Sequence, residues 1–122
     1  MQQRSQIRPN YGPFASEKEA LDELVQRLVK ALDPQMIWLF GSRARGDARP
    51  DSDFDLLVVA KPDGTFGSDD YDAVYAPTMG SGIGADVVPC DSDVFDASMG
   101  LRTSFVSQIV VGGRLVYGGA FA

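Results

Sequence analysis

Apolar and polar residues alternate along this chain with two different periods, and the change of period marks its elements. In "SEKEALDELVQRLVKALDP", Leu21, Leu24, Val25, Leu28, Val29 and Leu32 recur at helical spacing. Ser16 as N-cap with Glu19 three residues on reads as a capping box, and Pro34 enforces the stop. The pattern then shortens. "MIWLF" (36–40) is apolar at every position, which suits a strand covered on both faces. "DFDLLVVA" (53–60) and "ADVVPC" (85–90) read as a second and third strand, with Pro89 placing the latter at an edge or near its own end. "GGRLVYGG" near the C-terminus reads as a short fourth strand.

The connections are less regular. Gly41 ends the first strand, and Ser42 is expected to cap a helical turn reaching about Gly46, followed by a loop at "DARPDS". Residues 61–85 are rich in Gly and Asp and read mainly as loop, with a short helix near Asp70–Tyr75. "DSDVFDASMGLRTSFVSQIVV" opens on capping residues and predicts a helix in its second half. Residues 1–15, with Pro9, Gly12 and Pro13, are expected to form a flexible arm before a single domain over 16–122. The order predicts an α/β or α+β domain, a small mixed sheet packed with helices.

Composition narrows the chemistry. A chain of 122 residues, 44% hydrophobic and 23% charged, can bury about 65% of its unfolded surface. Its apolar runs are too short to span a membrane, and "MQQRSQIRPN" lacks the apolar core of a signal peptide. One cysteine, Cys90, allows no internal disulfide, so a cytoplasmic location is expected. Eleven basic against 17 acidic residues give a net charge of −6, which disfavours long nucleic acid as a partner. There is no histidine. Triads with a histidine base and histidine-ligated zinc are therefore excluded.

What remains are carboxylates, hydroxyls, Lys, Arg and metal ions, and "FGSRARGDARPDSDFDLLVV" (40–59) concentrates them. Asp55 abuts Leu56, Leu57, Val58 and Val59, where a carboxylate is costly without compensation. Strand alternation puts Asp53 and Asp55 on one face, roughly 6–7 Å apart at the α-carbons. A hard divalent cation between them would supply that compensation, and Mg²⁺ takes one or two carboxylates with water and phosphate oxygens in its other positions. Upstream, Gly41 lets backbone approach a ligand, Ser42 starts a turn with free N–H groups, and Arg43 and Arg45 add positive charge. Phosphate cradle and acid pair together describe a site for a Mg-bound nucleoside triphosphate. Two rivals fail on detail. A calcium loop counted from Asp51 would need Gly where Leu56 stands and Glu where Pro62 stands, and no Gly-Lys-Ser/Thr marks a Walker-type loop.

"GSRARGDARPDSDFDLLVV" resembles the signature of the nucleotidyltransferase superfamily typified by DNA polymerase beta. Its "ARG" and "SDFDL" are most similar to the minimal nucleotidyltransferases (MNT), which often pair with HEPN proteins as toxin–antitoxin systems. The resemblance is specific over residues 36–59 and looser to the end of the chain. It implies a polymerase beta-like nucleotidyltransferase fold and transfer of a nucleoside monophosphate, AMP, from ATP or another triphosphate to an acceptor hydroxyl. It implies two Mg²⁺ ions, replaceable by Mn²⁺, held by Asp53, Asp55 and a third acid. Asp86, which opens "DVVPC", is the choice for that acid, with Asp69, Asp70, Asp72, Asp91 and Asp93 as rivals. Gly41, Ser42, Arg43, Arg45 and Ser52 would hold the nucleotide. The expected partner is a HEPN-type protein, with a homo-oligomer left open. Two other readings stand beside this one: a module that neutralises a toxin by contact alone, and a nucleotide sensor. The segment "KPDGTFGSDDYDAVYAPTMGSGIGA" departs from the family pattern, which has a solid helix between strands two and three.

Overall fold

A computed structural model describes residues 8–101 and 103–119. Helix α1 runs Glu17–Leu32, and the Ser16 hydroxyl caps it by accepting from the Glu19 amide at 3.1 Å. The reciprocal half of the capping box reaches one residue further back, with the Glu19 carboxylate accepting from Ala15 N–H at 3.2 Å. Asp33 ends the helix in the left-handed region, its N–H bonded to the Val29 carbonyl, and Pro34 follows.

Four strands form one sheet: β1 Met36–Phe40, β2 Phe54–Val59, β3 Ala85–Cys90 and β4 Arg114–Gly118. Their order is β3-β2-β1-β4, with β1 antiparallel to both β2 and β4, and β2 parallel to β3. The sheet is thus mixed, as expected, and Pro89 lies on an edge strand where it breaks no interior ladder. One face, with Ile37, Leu39, Leu56 and Val58, packs on Leu21, Leu24 and Leu28 of α1. The other, with Met36, Leu57, Val59 and Cys90, packs on Phe95, Val106 and Ile109. Helices on both faces explain why β1 and β2 carry apolar residues at successive positions.

The two covering helices on that second face are α4 (Ser92–Ser98) and α5 (Phe105–Gly112). The sequence pattern predicts a helix only in the second half of this stretch. The first half is helical as well, anchored by the buried Phe95. Ser104 caps α5, accepting from Ser107 N–H at 3.0 Å. The crossover from β2 to the parallel β3 is largely irregular. It holds only α3 (Tyr71–Tyr75) and a 3₁₀ turn at Ala76–Thr78, with Phe66, Val74 and Ile83 buried against the core. Burial, rather than regular structure, fixes that connection. No helix among the described residues is long and apolar enough to cross a membrane.

Residues 1–7 of the expected arm lie outside the described residues. From Asn10 onward the arm is tied to the domain: Asn10 N–H donates to the Pro50 carbonyl at 2.8 Å, and Phe14 packs against the α1 side of the core.

Candidate active site

The site forms where β1 stops. Phe40 is extended, Gly41 takes φ +72°, and the chain turns at once into the short helix α2 (Gly41–Arg45). The helix begins two residues earlier than the capping expectation. Phe40 is its N-cap and makes no side-chain cap bond, so Ser42 lies inside the helix.

Sheet register then sets the carboxylates. Phe40 pairs with Asp55 across β1 and β2, and Asp55 pairs with Asp86 across β2 and β3. The three residues form a row across three strands, on the face that carries α4 and α5, with neighbours about 4.8 Å apart. Asp53 precedes β2 by one residue and is exposed, as is Asp86, whereas Asp55 is half-buried. The rival acids lie elsewhere. Asp91 follows Cys90, which pairs with Val59 at the far end of β2, and Asp91 lies against Gly67 there. Asp70 accepts from the Gly67 amide in the same region. Of the candidates for a third acid, Asp86 is the one that shares a register row with Asp55.

Two glycines make room for these acids. A Cβ on Gly41 would collide with the Asp55 carboxylate, and one on Gly84 would come within 2.5 Å of Asp53 Oδ1. Gly41→Ala is therefore expected to lose nucleotide transfer and at least about 1 kcal/mol of stability, since alanine is strained at positive φ. Gly46→Ala is the control: φ is +82° there too, but an added Cβ meets nothing within 4 Å. It should lose similar stability and keep activity. Melting curves and transfer assays on the pair separate backbone strain from displacement of Asp55.

Electrostatics single out Asp55. Burial, then the charges of Asp86 and Asp53, push its carboxyl above the ordinary value, and among the described residues Arg45 alone opposes them. An ionised Asp55 thus lacks sufficient compensation among the described residues. The donor set is oxygen only, which suits a hard divalent ion. Among the described residues no three acid or cysteine side chains already converge as metal ligands. Two carboxylates completed by water and phosphate oxygens fit the site better than a closed protein cage. Cys90 is not a reactive group: burial, helped by Asp91, pushes its thiol up to about 11.

The basic residues divide. Arg45 is exposed, pairs with Asp47 at 3.2 Å and is near enough to affect Asp55. Arg43 is not available to a triphosphate, contrary to expectation. Its side chain is only 2% exposed, and it makes an ion pair with Glu17 at 3.0 Å. Its guanidinium also donates to the carbonyls of Pro50 (2.9 Å) and Ser52 (2.8 Å) and stacks over Phe54 at 4.3 Å. Arg43 therefore shapes the loop that delivers Asp53. Ser52 belongs to the same loop, its hydroxyl accepting from Arg49 N–H at 2.9 Å.

Asn10 escaped the sequence reading. Its amide donates to the carbonyls of Ser52 (3.0 Å) and Gly84 (2.8 Å), and its Oδ1 accepts from Gly84 N–H at 2.6 Å. One side chain so clips together the segments leading to Asp53 and Asp86. The "PNYGP" around it signals only a turn, and nothing local announces contacts so distant in sequence.

A family model described as "Nucleotidyltransferase domain" matches residues 18–115. No curated protein matches the chain. Among solved structures, a putative nucleotidyltransferase from Sulfolobus solfataricus is 28% identical, with 63% of this chain and 68% of that one covered and a TM-score of 0.48. A toxin–antitoxin structure with AMP-PNP is 22% identical, covering 80% of this chain and 73% of the other at a TM-score of 0.48. A mutant of the toxin–antitoxin MntA-HpeT is also 22% identical, covering 87% and 76% at a TM-score of 0.47. The family match runs from the start of α1 into β4 and takes in Gly41, Asp53, Asp55 and Asp86. This chain belongs to the nucleotidyltransferase domain family.

Proposed function

We propose that this protein is a metal-dependent nucleotidyltransferase that moves AMP from ATP to a hydroxyl on a partner protein. The observation that carries the reading is the row in which Asp55 and Asp86 are register partners, with Gly41 packed against the Asp55 carboxylate. Gly41 lets the phosphates approach the acids without a side chain between, Arg45 of α2 is near enough to act on Asp55, and Ser42 beside it would add a hydroxyl. Asp53 and Asp55 would hold Mg²⁺ or Mn²⁺, two ions by family likeness, with Asp86 on the acceptor side. When bound, the metal supplies positive charge that neutralises phosphate oxygens and steadies the leaving pyrophosphate. The acceptor oxygen attacks the α-phosphorus, the bond to pyrophosphate breaks, and Asp86 takes the hydroxyl proton.

Charge supports a protein acceptor. A partner that docks on this domain would position its own hydroxyl at the site. Such positioning contributes up to roughly 7–11 kcal/mol at the intramolecular limit. A net charge of −6 suits a partner with a basic surface. By family likeness that partner is a HEPN-type toxin, and this chain its antitoxin.

Labelled ATP and Mg²⁺, incubated with the protein and whatever protein co-purifies with it, should leave a nucleotide mass adduct on that partner. Purified alone, the protein should turn ATP over slowly. Binding without transfer in the partner's presence, or efficient transfer to a small molecule by the isolated protein, would overturn the reading. Affinity for ATP should also fall at least about tenfold when Mg²⁺ is replaced by EDTA, because clustered acids repel a free triphosphate. Calorimetry checks this, and equal affinity in both buffers would remove the metal from the scheme.

A further inference from the structure

Beside the carboxylate row, between α2 and α5, lies a cleft of about 460 Å³. Gly41 and Arg45 line one side, and Phe40 belongs to its wall. Phe105, Gln108, Ile109 and Gly112 line the other. These four stand at i, i+3, i+4 and i+7 of α5 and so share one helix face.

We propose that this cleft receives the adenine base of the triphosphate, with Phe105 as its stacking platform and the Gln108 amide reading its edge. The inference rests on the nucleotidyltransferase reading and adds a source of base selectivity to it. Contiguity is the first support. Gly41 and Arg45 belong both to the cleft and to the turn proposed to hold phosphates, so a ligand seated at that turn can extend into the cleft. The chemistry of the walls is the second. Among the described residues the walls are uncharged apart from Arg45, and Phe40, Phe105 and Ile109 suit a flat, weakly polar group better than more phosphate.

Phe105 is held edge-on against Phe40, with ring centroids 6.0 Å apart and planes at 89°, yet remains 60% exposed. A ring fixed on one side and open on another is suited to stacking, which is tolerant of base identity. Selectivity then falls to Gln108, whose amide offers a donor and an acceptor side by side, the pattern that matches adenine. Gly112 lines the cleft, and a Cβ there would meet nothing within 4 Å, so a larger side chain can be placed at that wall. The volume lies within the range of small-molecule sites.

The test is calorimetry on the full chain in Mg²⁺, with ATP, GTP and inorganic tripolyphosphate as probes. Phe105→Ala should weaken ATP about tenfold, the order of one lost stacking partner, and leave tripolyphosphate unchanged. Gly112→Leu, which fills the cleft from an unstrained helical position, should do the same. Gln108→Leu should draw the ATP and GTP affinities together. If Phe105→Ala and Gly112→Leu left ATP binding intact, or weakened both ligands equally, the base slot would be wrong and the apolar cleft a seat for the partner protein. An unchanged ATP-to-GTP ratio in Gln108→Leu would remove the reading role of that residue. Wild-type protein that bound none of the probes would overturn the nucleotidyltransferase reading along with the slot, whereas a null result in the variants alone overturns only the slot.

Discussion

Asp55→Asn is expected to cut nucleotide transfer by about 10³-fold or more while leaving the protein folded. The swap keeps the shape of the side chain and removes the charge on which metal and phosphate would converge. Losing several kcal/mol of charge stabilisation corresponds to a rate loss of roughly that size. The effect on stability should have the opposite sign. The Asp55 carboxyl is pushed above its ordinary value of 3.8 by burial and by its acidic neighbours, so the folded state favours the protonated form. Its contribution to stability is full below that ordinary value and is lost as pH rises through the raised one. At neutral pH without metal the ionised group is a net cost, and asparagine relieves it. The site is open enough to be screened, so the gain should be on the order of 0.5 kcal/mol, or roughly 2–4 °C in melting temperature. Added Mg²⁺ should stabilise the wild type and not the variant. Melting curves in EDTA and in Mg²⁺, beside a labelled-ATP assay, read all of this. Near-wild-type transfer by Asp55→Asn would remove Asp55 from the chemistry.

Arg43→Ala is expected to be the most destabilising single change in the signature segment. It strips donors from the carbonyls of Pro50 and Ser52, breaks the pair with Glu17 and removes the cation over Phe54. Breaking a buried ion pair costs about 3–5 kcal/mol, and the lower end applies because Glu17 keeps 44% exposure. In a domain of this size that lowers the melting temperature by roughly 10–20 °C. Arg43→Lys should recover little of it, since one ammonium cannot replace a planar fork that serves several acceptors. Hydrogen exchange should show the amides of residues 49–53 losing protection first. A variant that melted like wild type but no longer bound ATP would mark Arg43 as a phosphate ligand after all.

The elements that the sequence made legible are those whose signals are local. The period of α1, the apolar runs of β1 to β3 and the glycine-bounded β4 each lie within a few residues, and the structure forms them there. The nearness of Asp53 to Asp55 is likewise local, two residues apart in sequence, and the charge of Asp53 acts on Asp55. The limits appear where the deciding contact is distant or the element short. Residues 41–45 make little more than one helical turn, too short for periodicity to say whether Arg43 or Arg45 faces the core, and packing against Phe54 decided it. The pairing of Asp86 with Asp55 depends on β2 and β3 being parallel and in one register, which the irregular segment between them does not encode. Asn10 joins residues 42 and 74 positions away. Local propensity and alternation act along the chain and can be read from it. The choice among acids, the inward turn of Arg43 and the clip at Asn10 are made by burial and hydrogen bonding between segments that meet only once the chain has folded.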